Sequence, residues 1–355
     1  MISKIKGFNG IRALAALTVV FTHIGAYRFL EHHNYISREL IQSFDGSAGV
    51  QAFFILSGFL ITYLLVKEYH RTGTVSLYNF YLRRTLRIFP LYFLVVFLIG
   101  ILHFFGSGVT NGESILFSIF YIYNFIPKEW YSSVLGHTWS LAVEEHFYLI
   151  WPFVFITMAK YPSKLVKYLV MFIGISIISN IVLQSIEYVR QSFFIGRFSF
   201  IAGANIAYGC ILALAISSSV RRKSVERILA SSWLLILGLL LWQCALWLPK
   251  LQYLPSVYIR GVGLAICIAW IFLNQSSLLV RVLEFRPLNY LGEVSYGIYM
   301  YQGFYLATGP YRAAGQTWPI SQEIGLVLLV ITVPISFHLF ERPITKLKRK
   351  WQKDC

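Results

Sequence analysis

Arg12 and His23 are the two ionisable side chains of the first apolar segment, FNGIRALAALTVVFTHIG. An ionisable group inside a membrane-spanning helix costs roughly 2.5–3.5 kcal/mol on insertion scales, so its presence needs a reason. On a helix the two residues lie about 16 Å apart along the axis and roughly 20° from the same face. For Arg12, a side chain that extends to the membrane interface is an equally good explanation. For His23, a catalytic role is favoured over a cap on the helix.

Another apolar segment, HTWSLAVEEHFYLIWP, places a carboxylate at a comparable depth. Glu144 would lie about 10 Å below the outer interface, near the depth expected for His23. A carboxylate beside an imidazole fixes the tautomer of the ring and stabilises its protonated form, as general-base catalysis requires. We therefore predict that His23 is the base and that Glu144 orients it; the alternative is a structural ion pair. The other side chains on the helical face of Glu144 are His137, Ser140, Tyr148 and Trp151.

Small polar and aromatic side chains near these groups are candidates for the wall of a site. Ser140 and Trp139 could stabilise an oxyanion. Ser57 precedes Gly58 in the segment VQAFFILSGFLI, and small residues allow membrane helices to approach closely. A nucleophilic serine needs a base, and the sequence near Ser57 contains none, so packing or pore lining is the better interpretation.

A cluster of basic residues begins the third apolar segment, in YLRRTLRIFPLYF. Guanidinium groups bind phosphate in a bidentate manner, so Arg83, Arg84 and Arg87 are predicted to hold the phosphates of coenzyme A. A stop-transfer charge cluster or a seat for anionic lipid would produce the same pattern. The four cysteines show neither a Cys-x-x-Cys nor a Cys/His ligand spacing, and we predict no disulfide and no metal.

The elements that must position these groups are membrane helices. Hydrophobic residues make up 57% of the 355 and charged residues only 13%. Apolar runs of about 20 residues span a bilayer, and only helices satisfy the backbone there. The predicted fold is therefore an all-α polytopic bundle, with a short re-entrant or interfacial segment at 113–126. The ten predicted spans are approximately 10–29, 47–67, 84–105, 138–159, 165–186, 193–216, 231–248, 256–274, 292–310 and 322–341.

The net charge of +16 is distributed as a membrane topology requires. Most lysines and arginines lie in the segments that are cytoplasmic if the N-terminus is inside, as the positive-inside rule expects. Ten spans then return the C-terminus to the cytoplasm. Because membrane topology accounts for the positive charge, we predict no nucleic-acid partner. One domain covers 1–345, and a basic cytoplasmic tail covers 346–355. The basic residues predicted to lie on the outer side of the membrane are Arg28, Arg38, Lys128, Arg190, Arg197, Lys250, Arg260 and Arg312.

Six segments, taken in order, resemble the acyltransferase 3 family of membrane acyltransferases. They are the Arg12–His23 helix, FFILSGFLI, RRTLRIFPLY, TWSLAVEEHFYLIWP, LGEVSYGIYMYQG and FERP. The resemblance implies a ten-helix bundle in the bacterial inner membrane. It also implies transfer of an acetyl or other acyl group from acyl-coenzyme A to a hydroxyl of a surface polysaccharide or lipid-linked glycan.

The resemblance also implies roles for individual residues. His23 matches the essential histidine of the family and Arg12 its partner arginine, so both are expected to be catalytic. Arg84 and Arg87 match the arginines before the family's proline, and Glu144 matches the glutamate of its WSL-x-x-E pattern.

The segment SYGIYMYQG departs from the family at one position. Where relatives frequently have a histidine, this chain has Gln302, which can hydrogen-bond but cannot titrate. We expect Tyr148, Tyr296 and Gln302 to line the substrate path. A glycan-lipid transporter, a flippase or a subunit of a polysaccharide-export complex would have a similar composition. However, transporters often contain two related halves, and no internal repeat is visible here.

Overall fold

The computed structural model describes residues 5–26, 45–217, 228, 230–247, 256–307 and 317–351, with the backbone alone at 244–247 and 348–351. Apolar runs dominate these ranges, and the chain satisfies its backbone within helices. The helices are α1 Phe8–His23, α2 Gly46–Thr72, α3 Leu77–Phe104, α4 Gly112–Ile119, α5 Thr138–Met158, α6 Pro162–Ser185, α7 Glu187–Ser192, α8 Ser199–Ser217, α9 Ser232–Trp247, α10 Ser256–Leu273, α11 Leu278–Leu283, α12 Arg286–Glu293, α13 Ser295–Tyr305, α14 Gln322–Ser336 and α15 Arg342–Trp351.

Seven helical segments of the described chain are long and apolar enough to cross a membrane. They are α2, α3, α5, α6, α8, α10 and the continuous segment Gln322–Leu347, which joins α14 to α15. The prediction of an all-helical membrane bundle is therefore confirmed, and the chain is an integral membrane protein.

The predicted number of ten spans is not reached within the described residues, because three predicted spans are shorter helices. The first and the seventh correspond to α1 and α9, each of 16 residues. Sixteen residues rise about 24 Å, less than the roughly 30 Å of a bilayer core. The ninth, 292–310, is divided between α12 and the 11-residue α13. Residues 27–29, 248 and 308–310 of these predicted spans lie outside the described residues.

The segment 113–126 contains a helix that is too short to cross a bilayer. The eight residues of α4 rise about 12 Å, and a 3₁₀ turn at Tyr123–Phe125 follows. Tyr121, between them, has a φ of 56°, which ends the helical path. This agrees with the prediction of a short segment that does not span the membrane.

Glycines set the closest helix contacts. A side chain on Gly58 of α2 would overlap the carbonyl oxygen of Ile206, and one on Gly209 of α8 would overlap that of Ile55. A side chain on Gly10 of α1 or Gly292 of α12 would likewise meet backbone atoms of the facing helix. Close packing at small residues is the usual means by which membrane helices associate. These contacts hold α2 against α8, and α1 against α11 and α12.

The last span changes its helical geometry next to the site. Pro334 lies within α14, and residues Phe337–Glu341 form a π-helical turn before α15. Such turns are rare and often occur at functional sites. The turn directs Glu341 toward Gly297 of α13 and lets Ser336 donate a hydrogen bond of 3.2 Å to its Oε1.

Candidate active site

A cavity of about 380 Å³ lies among α1, α2, α3, α5 and α13. It brings together four charged residues of the predicted site from three helices, Arg12, Arg84, Arg87 and Glu144. Arg12, Arg84 and Glu144 are half-buried and Arg87 is exposed, so the cavity is accessible to a ligand. Phe8 and Asn9, at the beginning of α1, also line it.

Among the described residues, Glu144 is the one acidic side chain that lines this cavity, and it lies within electrostatic range of Arg84, Arg12 and Arg87. Three guanidinium groups around one carboxyl group leave an excess of positive charge. Guanidinium groups bind phosphate or carboxylate through paired N–H donors. The cavity is therefore suited to an anionic ligand.

Tyr148 connects Glu144 to the neighbouring helices. Its hydroxyl donates a hydrogen bond of 2.5 Å to Glu144 Oε2 and also shares a hydrogen bond with Ser57 of α2. The guanidinium carbon of Arg84 lies 4.9 Å from the centroid of the Tyr148 ring, a cation–π distance. Ser57 thus lines the cavity and holds Tyr148.

Arg83 is separated from the other two predicted arginines. It lies on another side of α3, and its Nη2 is 3.4 Å from Glu68 Oε2 of α2. It is not among the residues that line the cavity. The structure therefore brings Arg84 and Arg87 to the site and assigns Arg83 to an ion pair between two helices.

Ser140 and Tyr299 both line the cavity. Their hydroxyls are 2.6 Å apart, and each lies 3.1 Å from the carbonyl oxygen of His137. Since each hydroxyl has one proton, one of them donates to the carbonyl oxygen and the other donates to its neighbouring hydroxyl. Tyr296 lines the cavity, and its hydroxyl donates to the carbonyl of Ile88 at 2.6 Å. Tyr299 was missed by the sequence analysis. It lies three residues after Tyr296, and helical spacing would have found it.

Trp139 lies behind the cavity and not in its wall. Its ring contacts Phe54 at right angles, with centroids 5.8 Å apart. On its other side the guanidinium carbon of Arg197 is 5.5 Å from its ring centroid. An oxyanion inside the cavity would thus meet Ser140 but not the Trp139 indole.

His23 does not line the cavity, and the described residues show no contact between it and Glu144. Its electrostatic neighbour on the segment of α5 is His137, seven residues before Glu144. α1 ends at His23, whereas the predicted span continued to residue 29. Arg12, eleven residues before His23 on α1, is the residue of this helix within electrostatic range of Glu144.

Gln302 of α13 is completely buried, and neither atom of its amide has a hydrogen-bond partner within the described structure. It is not part of the cavity wall. In the described ranges, no group of three or more His, Cys, Asp or Glu side chains is arranged to hold a metal ion.

An integral membrane bundle with a charged, accessible cavity between its helices is thus the class of protein that the fold defines. The family follows from the whole chain, because the model of the acyltransferase domain family, acyltransferase 3, matches residues 5–339. The chain therefore belongs to the acyltransferase 3 family, and the resemblance drawn from its motifs is confirmed.

Three of the similar curated proteins are named as O-acetyltransferases. YrhL of Bacillus subtilis strain 168, named as a provisional peptidoglycan O-acetyltransferase, is 30% identical over 373 residues, covering 96% of this chain and 55% of YrhL. The O-acetyltransferase OatA of Staphylococcus aureus is 28% identical over 367 residues, covering 96% of this chain and 57% of OatA. The peptidoglycan O-acetyltransferase OatA of Listeria monocytogenes is 28% identical over 375 residues, covering 96% of this chain and 56% of that protein.

The chain spans little more than half the length of the curated relatives it matches. No solved structure matches the chain at a comparable level of significance.

Proposed function

We propose that this chain is a membrane-bound O-acyltransferase that moves an acetyl group from cytoplasmic acetyl-coenzyme A, or another acyl group from its acyl-coenzyme A, to a hydroxyl of a glycan. The observation that carries the proposal is the single cavity in which Arg12, Arg84, Arg87 and Glu144 meet, within a domain of this family. Peptidoglycan is the preferred acceptor among surface polysaccharides and lipid-linked glycans, because two of the relatives are named for it.

Arg84 and Arg87 bind the phosphates of the donor. Both line the cavity, where the guanidinium groups outnumber the carboxylates, so their positive charge is available to a ligand. The orientation that places the N-terminus in the cytoplasm also places this end of the cavity there, where acyl-coenzyme A is found. The acyl end of the donor extends past Tyr148 toward Ser140 and Tyr299, which close the far end.

His23 acts as the general base at the outer end of α1. It accepts the proton of the acceptor hydroxyl while the hydroxyl oxygen bonds to the thioester carbonyl carbon. The carbon–sulfur bond then breaks, and coenzyme A leaves as its thiol after taking up a proton. An acyl-histidine that is formed first and then attacked by the hydroxyl is the alternative route.

The role of Glu144 is revised from that expected on sequence grounds. It does not contact His23 in the described structure, and its partners are Tyr148 and the arginines of the cavity. Glu144 therefore positions the donor-binding groups and does not orient the base. Arg12, at the same depth, contributes positive charge to the same site.

The test uses the full chain in proteoliposomes with radiolabelled acetyl-coenzyme A and peptidoglycan fragments. We expect label on the glycan, and a loss of about 100-fold or more in the His23→Ala protein, since general-base catalysis contributes on this scale. A transporter or export subunit would leave the glycan unlabelled. Acid quenching in a single turnover detects label on the protein if an acyl-histidine forms.

Full transfer activity in a correctly inserted His23→Ala protein would contradict the proposed role of His23 as the base. If the inserted wild-type protein leaves every glycan unlabelled, the proposed transferase activity itself is wrong.

A further inference from the structure

Arg197 is a half-buried cation whose guanidinium group has no ion-pair or hydrogen-bond partner among the described residues. It ends the 3₁₀ turn Ile195–Arg197, two residues before α8 begins, and is one of the basic residues predicted for the outer side of the membrane. Only Nη1 of its three guanidinium nitrogens is buried, so Nε and Nη2 reach the surface. An arginine is always charged, and its unused N–H donors are therefore available to an anionic ligand.

Three aromatic rings fix the position of the Arg197 guanidinium group. Its central carbon lies 4.1 Å from the ring centroid of Phe194, 5.1 Å from that of Tyr131 and 5.5 Å from that of Trp139. The Tyr131 and Phe194 rings also contact each other, with centroids 4.9 Å apart. Because a guanidinium group stacks on aromatic faces, these contacts orient it without using its N–H donors. All three rings are half-buried, so part of each stays accessible beside the cation.

A second cation lies against the same aromatic group. Lys128 Nζ is 5.6 Å from the ring centroid of Phe194 and donates a hydrogen bond of 2.7 Å to the carbonyl oxygen of Arg190. In the described part of the chain, neither Lys128 nor Arg197 forms an ion pair, and the neighbouring Glu129 is exposed and pairs with neither. Two cations without carboxylate partners give this surface a positive charge.

This surface lies outside the donor cavity but at the end of the bundle where the proposed base is found. Arg197 does not line the cavity, and Trp139 lies behind the cavity wall. Arg197 is within electrostatic range of Tyr299, whose ring contacts the His137 ring with centroids 5.9 Å apart. His137 is in turn within electrostatic range of His23. The cation is thus separated from the donor arginines and lies toward the side from which the acceptor arrives.

We propose that Arg197 binds an anionic group of the acceptor glycan, a carboxylate or a phosphate, while the aromatic rings around it contact the sugar. The inference rests on the proposed function and gives the second substrate a site of its own. Guanidinium groups bind both anions through paired N–H donors, and aromatic walls with a few charged groups are typical of small-molecule sites. The lactyl group of N-acetylmuramic acid supplies a carboxylate in peptidoglycan, and a lipid-linked precursor supplies a pyrophosphate.

The test measures binding of three acceptors to the full chain in detergent, without acyl donor. The first is the disaccharide of N-acetylglucosamine and N-acetylmuramic acid with a free lactyl carboxylate. The second is the same disaccharide with that carboxylate converted to a neutral methylamide. The third is the methylamide disaccharide linked to a short polyprenyl pyrophosphate.

We expect the wild type to bind at least one anionic acceptor tenfold or more tightly than the neutral disaccharide, the scale of a hydrogen bond to a charged group. Arg197→Gln should remove this preference and leave the affinity for the neutral disaccharide within twofold. Arg197→Lys should recover part of it. Arg190→Gln, a matched change at an exposed arginine of the preceding helix, should match the wild type. The anionic acceptor that loses affinity identifies the carboxylate or the pyrophosphate as the bound group.

Binding without donor separates this inference from the proposed function, because a loss of anionic preference in Arg197→Gln supports the site even if no transfer is observed. Equal wild-type affinity for the anionic and neutral acceptors, or no binding of any of them, overturns it. An equal loss for all acceptors with a lower Tm would show that Arg197 only packs against its aromatic neighbours. In turnover, a KM for acetyl-coenzyme A raised more than twofold by Arg197→Gln would place the residue in the donor site; either result also overturns the inference.

Discussion

Tyr148 donates a hydrogen bond of 2.5 Å to Glu144, one turn earlier on the same helix, and contacts Ser57 on the neighbouring helix. The carboxyl group of Glu144 therefore has a defined orientation inside a cavity that otherwise carries arginines. A hydrogen bond to a charged group stabilises by about 1.5–3 kcal/mol, more than a neutral one. The contact between Tyr148 and Ser57 connects α5 and α2 at the depth where the donor is proposed to bind.

Replacement of Tyr148 by phenylalanine should reduce acyl transfer about 10-fold while leaving the protein inserted and folded. The ring and its contact with Arg84 remain, but Glu144 loses its hydroxyl donor. The measurement is the initial rate at saturating acceptor. Ser57→Ala, which removes only the more distant hydroxyl, should have a smaller effect. Equal rates in Tyr148→Phe and the wild type would show that the orientation of Glu144 does not matter to the reaction.

The three neighbouring arginines of α3 should differ in their effects. Arg84→Ala and Arg87→Ala should raise the KM for acyl-coenzyme A at least tenfold, because each removes a guanidinium from the cavity wall. Arg83→Ala should change it less than about twofold, since Arg83 is paired with Glu68 and a half-exposed pair contributes about 0–1 kcal/mol. Steady-state kinetics with varied donor measure the difference. If Arg83→Ala has the largest effect, the donor phosphates bind outside the cavity.

The contact between α2 and α8 should not accept a side chain larger than hydrogen. Gly58→Ala and Gly209→Ala should each lower the Tm in detergent, with a cost of about 1–3 kcal/mol or more, because the methyl group would meet backbone oxygen. Gly174→Ala on α6 is the matched control, because no atom lies within 4 Å of its added carbon. It should be neutral or stabilising by about 0.5–1 kcal/mol. A Tm of Gly58→Ala equal to that of Gly174→Ala would contradict this helix contact.

Arg260 should contribute measurably to stability. It is 8% exposed, lies 3.4 Å from Asp45 and hydrogen-bonds to Ser47 at 2.6 Å and to Gln51. Because Arg260→Ala leaves the amide oxygen of the buried Gln51 without this donor, we expect a loss of about 1–3 kcal/mol in the free energy of unfolding.

An exposed ion pair provides the comparison for Arg260. Arg190 lies 3.7 Å from Glu187 on the short helix α7, and Arg190→Ala should cost less than about 1 kcal/mol. Thermal unfolding of the two variants in the same detergent measures both. Similar Tm values would show that the Arg260 network does not stabilise the bundle.

Local features of the chain were sufficient to predict a large part of this protein. The apolar runs predicted helices, since a membrane leaves the backbone no other regular structure without a closed barrel. The all-helical class is confirmed, but three of the ten predicted spans are shorter or divided helices in the described residues. The order of six short motifs was sufficient to predict the family, which the match over residues 5–339 confirms. Helical spacing placed Glu144 and Tyr148 on one face, and the hydrogen bond between them bears this out.

The separation of Arg83 from Arg84 and Arg87 was not visible in the sequence. All three have the same chemistry, and neighbouring positions on a helix point in directions about 100° apart. Which direction faces a cavity depends on the helices that pack around α3. The presence of Glu68 on α2 decided that Arg83 forms an ion pair instead.

The sequence by itself determined a helical membrane bundle, its family and the residues that carry charge into it. Only the tertiary structure decided that Glu144 lies among the arginines and that His23 does not line their cavity. The depth of a residue in the membrane depends on where its helix ends and on the axial position of that helix relative to its neighbours. Contacts between distant segments, such as Gly303 against His137, set both. The spacing of residues along one helix therefore does not predict them.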